Sequence, residues 1–168
     1  MRVGTLIKSK VHMTKMSPFG AAFGRIGVMK AKSYSKVKKA TWDLFSKYIR
    51  LRDHKAQGEP YLMEVRAANC VTCHKMYPIE GKGSMQAGHF IPGRKNAYLF
   101  DEKQVNSQCY NCNIRFKGNW PAYYEVMVSR HGTEVEKMIQ DRTAEKIYTI
   151  PDLLELQEEL KQKINDLS

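Results

Sequence analysis

The chain has 168 residues, of which 42% are hydrophobic and 27% charged, and its formal net charge is +11. This composition excludes an intrinsically disordered chain, and the length suits one compact domain with an additional segment. No apolar stretch reaches the ~20 residues that cross a membrane, and Lys8 and Lys10 leave no room for a secretion signal. We therefore expect a cytoplasmic protein with no membrane partner.

The positive charge is concentrated at one end of the chain. Residues 1–50 hold 12 of the 28 Lys and Arg residues but only one acidic residue, Asp43, so the rest of the chain is neutral overall. A basic segment on a neutral body is typical of polyanion-binding proteins, most often those that bind nucleic acid. A solubilising tail, or an arm for acidic lipid or protein, would have the same composition. We predict a loosely ordered basic arm at 1–40, a folded core at 41–132 and a C-terminal helical extension at 133–168.

The first periodic segment begins where the predicted arm ends. Apolar residues recur at i, i+3 and i+4 after Thr41, which predicts an amphipathic helix capped by Thr41. The same spacing favours core packing over base stacking for Trp42 and Phe45. Residues 56–60 (AQGEP) predict a turn, and Tyr61–Arg66 a short strand or helix.

Short strands and helices are predicted for the rest of the chain. Pro and Gly residues predict a loop at 77–84, and Gly118 is a natural helix stop. The predicted elements are strands at Met85–Ile91 and Val105–Gln108, a helix from the second cysteine pair to Lys117, helices at Trp120–Arg130 and Glu134–Asp141, and a final helix.

The final helix has the clearest pattern. Asp152 and Glu155 are predicted to be its capping pair. Its apolar stripe can either dock on the body of the protein or pair with a second copy, and the sequence leaves both possibilities open. The stripe consists of Leu153, Leu156, Leu160, Ile164 and Leu167.

Four cysteines form two C-x-x-C pairs, separated by 35 residues. Each pair places two thiolates on one turn, and two such turns that meet provide the tetrahedral sulfur site that structural zinc prefers. A redox dithiol or two disulfides are the alternatives. The dithiol needs a strand–helix setting that is not evident in this sequence, and disulfides are disfavoured in the cytosol. The pattern predicts Zn²⁺ bound by Cys70, Cys73, Cys109 and Cys112.

Between and around the cysteine pairs, the sequence resembles a known family. A His on a short strand, followed by a loop and then C-x-x-C-N-x-x-x-K-G, resembles the HNH, or ββα-metal, nucleases. The sequence resembles the NinG (Rap) family of lambdoid phage recombination proteins more closely. This similarity covers roughly residues 36–132, and its segments are WDLFSKYIRLRD, CVTCHK, MQAGHFIPGRKNAYLFDEKQV and QCYNCNIRFKGNW. The resemblance implies an α+β fold, with a small HNH ββα-metal core and a four-cysteine zinc site surrounded by α-helices.

The same resemblance implies a metal-dependent endodeoxyribonuclease. His89 matches the general base that activates water, and Asn113 matches the ligand of a catalytic Mg²⁺ or Mn²⁺ ion. The middle Asn of the motif falls on Gln104. Gly88 stands where many HNH enzymes have an acidic ligand, so the missing carboxylate is assigned to Asp101 or, alternatively, to Glu102.

Other side chains are candidates for contact with DNA. Four cations flank the expected site and can hold phosphates, although ordinary solvated charge is the alternative for each. Nearby aromatic residues can stack on unpaired bases, but helical packing favours the core. The cations are Arg94, Lys95, Arg115 and Lys117, and the aromatic residues are Tyr110, Trp120, Tyr123 and Tyr124.

Three functions remain open from the sequence. The family resemblance implies cleavage of branched DNA such as Holliday junctions and D-loops, in the host cell cytoplasm, and symmetric junction cleavage favours a homodimer. A nicking or general duplex HNH nuclease is the first alternative. A zinc-stabilised DNA-binding protein without catalysis is the second, because Gly88 and Gln104 depart from the motif.

Overall fold

The computed structural model describes residues 33–93 and 95–168. Residues 1–32 of the predicted arm and Arg94 lie outside the described residues, whereas residues 34–40, predicted to be loosely ordered, are helical. The described elements, in chain order, are α1 (Tyr34–Ala56), β1 (Tyr61–Leu62), β2 (Val65–Asn69), β3 (Met76–Pro78), β4 (Gln86–His89), α2 (Asn96–Leu99), β5 (Val105–Gln108), a π-helix (Asn111–Arg115), α3 (Trp120–His131), α4 (Glu134–Gln140), a 3₁₀ turn (Asp141–Thr143) and α5 (Ile150–Asp166).

Helix α1 begins at Tyr34, seven residues before the start predicted at Thr41. Thr41 does not cap the helix, because its hydroxyl donates within the helix to the carbonyl oxygen of Val37 at 3.0 Å. The predicted apolar face is present, and Phe45 and Ile49 are completely buried in the main core. No helix among the described residues is long and apolar enough to span a membrane.

The first three strands form an antiparallel sheet in the order β1–β2–β3. The segment predicted as a strand or helix at Tyr61–Arg66 is therefore a tight hairpin. Cys70 and Cys73 lie in the turn that connects β2 to β3, and the Cys70 N–H donates across that turn to the carbonyl of Lys75 at 2.9 Å. This sheet thus presents the first cysteine pair at one end.

Strands β4 and β5 pair separately as an antiparallel ribbon, with His89 opposite Val105 and Gly88 opposite Asn106. Paired residues share a face of the ribbon, and consecutive residues alternate between the faces. Ala87 and Val105 pack with Phe45 of α1 in the main core. The other face, which carries Gly88 and Asn106, contacts Tyr123 of α3.

The C-terminal helix packs on the first helix, so its apolar stripe docks on the body of the chain. Leu153, Leu160 and Ile164 are buried at this contact. The cap differs from the predicted pair of Asp152 and Glu155. Thr149 is the N-cap: its hydroxyl accepts from the Asp152 N–H at 3.3 Å, and the Asp152 carboxylate accepts from the Thr149 N–H at 2.7 Å. The mixed α+β class is confirmed.

Candidate functional site

The four cysteines converge although two of them lie far from the others in sequence. Their sulfur atoms all lie within 4.8 Å of one another, and the Sγ atoms of Cys73 and Cys109 are 3.9 Å apart. A tetrahedral zinc ion with bonds of about 2.3 Å would place its sulfurs about 3.8 Å apart. The cluster is therefore close enough to bind a metal ion such as zinc.

Hydrogen bonds around the cluster prepare Cys70 for ionisation. Burial acts to raise its pKa, but the Thr72 hydroxyl at 3.3 Å and the Cys109 N–H at 3.3 Å outweigh burial and lower the pKa to about 7. Burial and the neighbouring Cys70 instead raise the pKa of Cys73 to about 12. Ionisation of all four sulfurs would therefore require a bound cation, since only the ionised sulfur binds metal well.

A cleft of about 260 Å³ lies beside the cysteine cluster. His89 from the end of β4, Asn113 from the π-helix and Lys117 all line it. Asn113 directly follows the last cysteine, so the second knuckle that ends with Cys112 determines where it lies. Three of the residues predicted from the sequence thus share one cavity.

The His89 ring is held by residues from two helices. It stacks on Trp42 of α1, with ring centroids 5.1 Å apart and 15° between the ring planes. Its Nε2 atom lies 3.2 Å from the carbonyl oxygen of Leu99 in α2. The helical spacing predicts that Trp42 packs in the core, but it does not predict that Trp42 stacks on His89.

Asn113 is oriented by a neighbouring amide. Its Nδ2 atom donates to Oε1 of Gln86 at 2.8 Å. The side-chain oxygen of Asn113, Oδ1, accepts no hydrogen bond from any residue within 33–93 and 95–168, and it is the atom that a cation would contact. The side chain is half-buried at the edge of the cleft.

Lys117 reaches the cleft from an unusual turn. Lys117, Gly118 and Asn119 have φ values of 50°, 92° and 47°, all in the left-handed region. Such a conformation costs a non-glycine residue about 1–2 kcal/mol. The Gly118 N–H caps the preceding helix by donating to the carbonyl oxygens of Cys112 at 2.9 Å and Asn113 at 3.0 Å. Gly118 is therefore the stop that the sequence predicted.

Gln104 and Asp101 lie elsewhere. The Gln104 amide donates to the Asp101 carboxylate at 2.9 Å, and both residues line a different cleft, together with Glu134. The alternation of strand side chains explains this, because His89 pairs with Val105 and the residue before Val105 points to the opposite face. Glu102 is bound to Tyr48 and Lys163 instead. The structure brings none of the three acidic or amide candidates to His89.

Gly88 is closely packed. A Cβ atom at this position would lie 2.1 Å from Oε1 of Gln108, which is completely buried. The Gln108 amide is anchored by donation to the Gly118 carbonyl at 2.8 Å and lies 3.3 Å from the Thr72 hydroxyl. Gln108 thus fills the space that an acidic side chain at position 88 would need.

A polar chain beneath the ribbon supports the His89 strand, and sequence reasoning missed it. The Tyr123 hydroxyl donates to the Gly88 carbonyl at 3.0 Å, and the Asn106 amide donates to that hydroxyl at 3.0 Å. Arg130 donates to the Asn106 carbonyl oxygen at 2.8 Å. The register of the ribbon, which places Asn106 opposite Gly88, joins strands about 18 residues apart and has no signal in the local sequence.

Among the other predicted phosphate contacts, Arg115 and Lys95 do not line the cleft. Arg115 is exposed on the π-helix, and Lys95 is exposed just before α2. Arg94 lies outside the described residues. Of the four predicted cations, Lys117 is the one that the described structure places against His89 and Asn113.

These features define a class: an α+β protein with four clustered cysteines that could bind a metal ion, and with a cleft that begins directly after the second cysteine pair. The sequence profile of the family described as Bacteriophage Lambda NinG protein matches residues 21–168. The chain therefore belongs to the NinG family. The match extends beyond the resemblance over residues 36–132 and includes the C-terminal helix α5.

Individual relatives are more distant. Protein ninG of Escherichia phage lambda is 27% identical over 99 residues, which cover 58% of this chain and 47% of that protein. Protein ninG of Escherichia phage 933W and that of Enterobacteria phage VT2-Sa are each 25% identical over the same coverage. The match thus spans about half the length of these curated relatives. No solved structure matches the chain.

Proposed function

We propose that this protein is a metal-dependent DNA endonuclease of the HNH type that cleaves branched recombination intermediates such as Holliday junctions and D-loops. The observation that carries the proposal is the single cleft lined by His89, Asn113 and Lys117 beside the cysteine cluster. These residues lie on a strand, on the short helix after the second strand, and on the turn that follows. That is the chain order of a ββα-metal nuclease.

In the proposed reaction, His89 takes a proton from the water that attacks phosphorus. Neutral imidazole suits this role near pH 7. The stack on Trp42 and the Leu99 carbonyl hold the ring in one orientation. Lys117 supplies a positive charge for a phosphate of the bound strand. Cleavage would leave 5′-phosphate and 3′-hydroxyl ends.

A catalytic cation would depend largely on groups from the substrate. Apart from the four cysteines, the described residues contain no group of three His, Cys, Asp or Glu side chains arranged to hold a metal ion. Asn113 would contribute its side-chain oxygen, Oδ1, with water and DNA phosphate oxygens as the other ligands, which is a common arrangement for Mg²⁺. A Mg²⁺ or Mn²⁺ ion there would offset the negative charge that develops on the phosphate.

The cysteine site has a structural role in this proposal. Four sulfur ligands leave zinc no open position for water or substrate. Cys112 immediately precedes Asn113, so a zinc ion would fix the knuckle that carries the proposed cation ligand. Zinc would thus shape the cleft without taking part in the reaction.

The experiment compares a labelled four-way junction with a linear duplex of the same sequence, with Mg²⁺, with Mn²⁺ or with neither. We expect metal-dependent cleavage of the junction, far faster than of the duplex, and its loss in His89→Ala and Asn113→Ala. His131→Ala is the matched control, because His131 lines a different cleft. Equal cutting of both substrates would instead identify a nicking or general duplex nuclease.

A second candidate is a zinc-stabilised DNA-binding protein without catalysis. It is favoured by Gly88, whose surroundings exclude the acidic ligand, and by the missing three-residue metal cluster in the described structure outside the cysteines. This protein would shift junction DNA with a steep salt dependence and leave it intact with both metal ions. The wild-type cleavage assay therefore separates the two candidates.

A further inference from the structure

A second cavity, of about 330 Å³, adjoins the cleft that contains His89. Its lining is apolar except for one cation, and its residues are Ile91, Pro92, Trp120, Ile139 and Arg142. Pro92 and Trp120 also line the His89 cleft. The indole of Trp120 is therefore common to both cavities.

Trp120 is exposed yet fixed in place. It lies parallel to the buried ring of Phe90, with centroids 6.2 Å apart and 13° between the planes, and Tyr124 packs against it at 5.2 Å. Even so, 43% of Trp120 remains accessible. An exposed aromatic side chain whose orientation is already fixed can stack on a ligand ring with little further loss of conformational freedom.

The cation of this cavity is available for a ligand. Arg142 is exposed in the 3₁₀ turn, and its guanidinium makes no hydrogen bond or ion pair with any other residue that the structure describes. A guanidinium beside an aromatic face suits a flat ring that carries a phosphate. The cavity lies near the lower end of the size range for small-ligand pockets, about 300–1,000 Å³. One nucleobase fits this description better than a duplex does.

We propose that this cavity, the Trp120 pocket, takes one unpaired nucleobase of the DNA strand that lies in the His89 cleft. The proposal rests on the proposed function, because it requires DNA in that cleft. The base stacks on Trp120, and Arg142 contacts the adjacent phosphate. A paired base would first have to leave its partner, so the pocket favours DNA with unpaired bases, as at a junction or D-loop.

The test measures binding without added Mg²⁺ or Mn²⁺, so that no cleavage is needed. The probes are a labelled duplex with one unpaired thymine and the same duplex fully paired, and permanganate reactivity reports whether the unpaired thymine is shielded. We expect the full chain to prefer the unpaired probe by at least about tenfold, as one base–aromatic stack provides, and to shield its thymine. Trp120→Ala should remove the preference and the shielding, whereas Trp120→Phe should retain most of both.

If Trp120→Ala folds poorly, Arg142→Ala tests the proposal instead, because Arg142 is exposed and its loss should not affect folding. Arg142→Ala should weaken binding of the unpaired probe more than binding of the paired one. Tyr61→Ala is the control, since Tyr61 is an exposed aromatic residue outside both cavities. Equal binding of both probes by the wild type, or retained preference and shielding in both variants, would overturn the proposal. If the protein cleaves DNA but does not prefer the unpaired probe, the base pocket is rejected and the nuclease proposal stands. If it prefers the unpaired probe but does not cleave DNA, the nuclease proposal is rejected and the base pocket stands.

Discussion

The imidazole of His89 lies parallel to the indole of Trp42, with ring centroids 5.1 Å apart. Trp42 belongs to α1, so the end of β4 is fixed against the first helix of the described chain. Tyr98 approaches the same imidazole edge-on, at 6.2 Å. The position of His89 is therefore set by two helices as well as by its own strand.

Replacing Trp42 should impair the proposed cleavage more than DNA binding. A misplaced proton acceptor costs about a hundredfold in rate for a displacement of about 1 Å. We expect Trp42→Ala to slow single-turnover junction cleavage by about tenfold to a hundredfold, with nearly unchanged junction affinity, and Trp42→Phe to retain the stack. Tyr34→Ala, on the same helix, is the control. A Trp42→Ala variant that cleaves at the wild-type rate would show that the stack does not position His89.

A side chain at position 88 should destabilise the protein. The added Cβ would meet Gln108 Oε1 at 2.1 Å, and Gln108 could move away only by giving up its contacts with Gly118 and Thr72. We expect Gly88→Ala to lower the free energy of unfolding by about 1–3 kcal/mol in urea melts, as overpacked cores do.

A double-mutant cycle tests the cause of that loss. In a Gln108→Ala background the added methyl group no longer meets the amide, so Gly88→Ala should cost clearly less there. Equal costs in the two backgrounds would mean that strand geometry, rather than Gln108, restricts position 88. Ser84→Ala, in the same part of the chain, is the control. Gly83→Ala would not serve, because Gly83 has a φ of 75°, at which an added side chain is strained.

The sequence could predict the features of the fold that depend on residues only a few positions apart. The cysteine pairs, the strand Val105–Gln108 and the stripe of α5 were recognisable because their chemistry repeats over a few residues. Gln104 matches the middle position of the HNH motif, but a match to a motif does not indicate which face of a strand a residue occupies, and His89 pairs with Val105. The stack of Trp42 on His89 joins residues 47 positions apart, so no local pattern could indicate it.

If the four cysteines bind zinc, as we propose, removal of that zinc should unfold the region around the second cysteine pair. The described thiols have no disulfide partners, and a cation is needed to hold four crowded thiolates together. We expect a zinc chelator or Cys109→Ser to lower the melting temperature strongly, with recovery on added Zn²⁺ for the chelated wild type only. Ser107→Ala, two residues away, is the control for local packing. Full metal content and normal melting of Cys109→Ser would contradict the four-sulfur site.

Glu102 should make stability depend on pH in the acid range. It joins α1 to α5 by accepting hydrogen bonds from Tyr48 and Lys163. Burial acts to raise its pKa, but these two donors outweigh burial and hold the pKa below its ordinary value. Because the folded-state pKa is the lower one, the stabilisation is present above the unfolded-state pKa of about 4.3 and is lost as pH falls through the folded-state value.

We therefore expect Glu102→Gln to melt below the wild type at pH 7, and the gap between them to close as pH falls below about 4.3. The difference should be under about 1 kcal/mol, because the Glu102 and Lys163 side chains are 39% and 44% exposed and solvent screens the pair. Glu155→Gln, on the exposed side of α5, controls for the loss of one surface charge. If the gap stayed constant from pH 7 to pH 3, the effect of Glu102 would come from packing rather than from its charge.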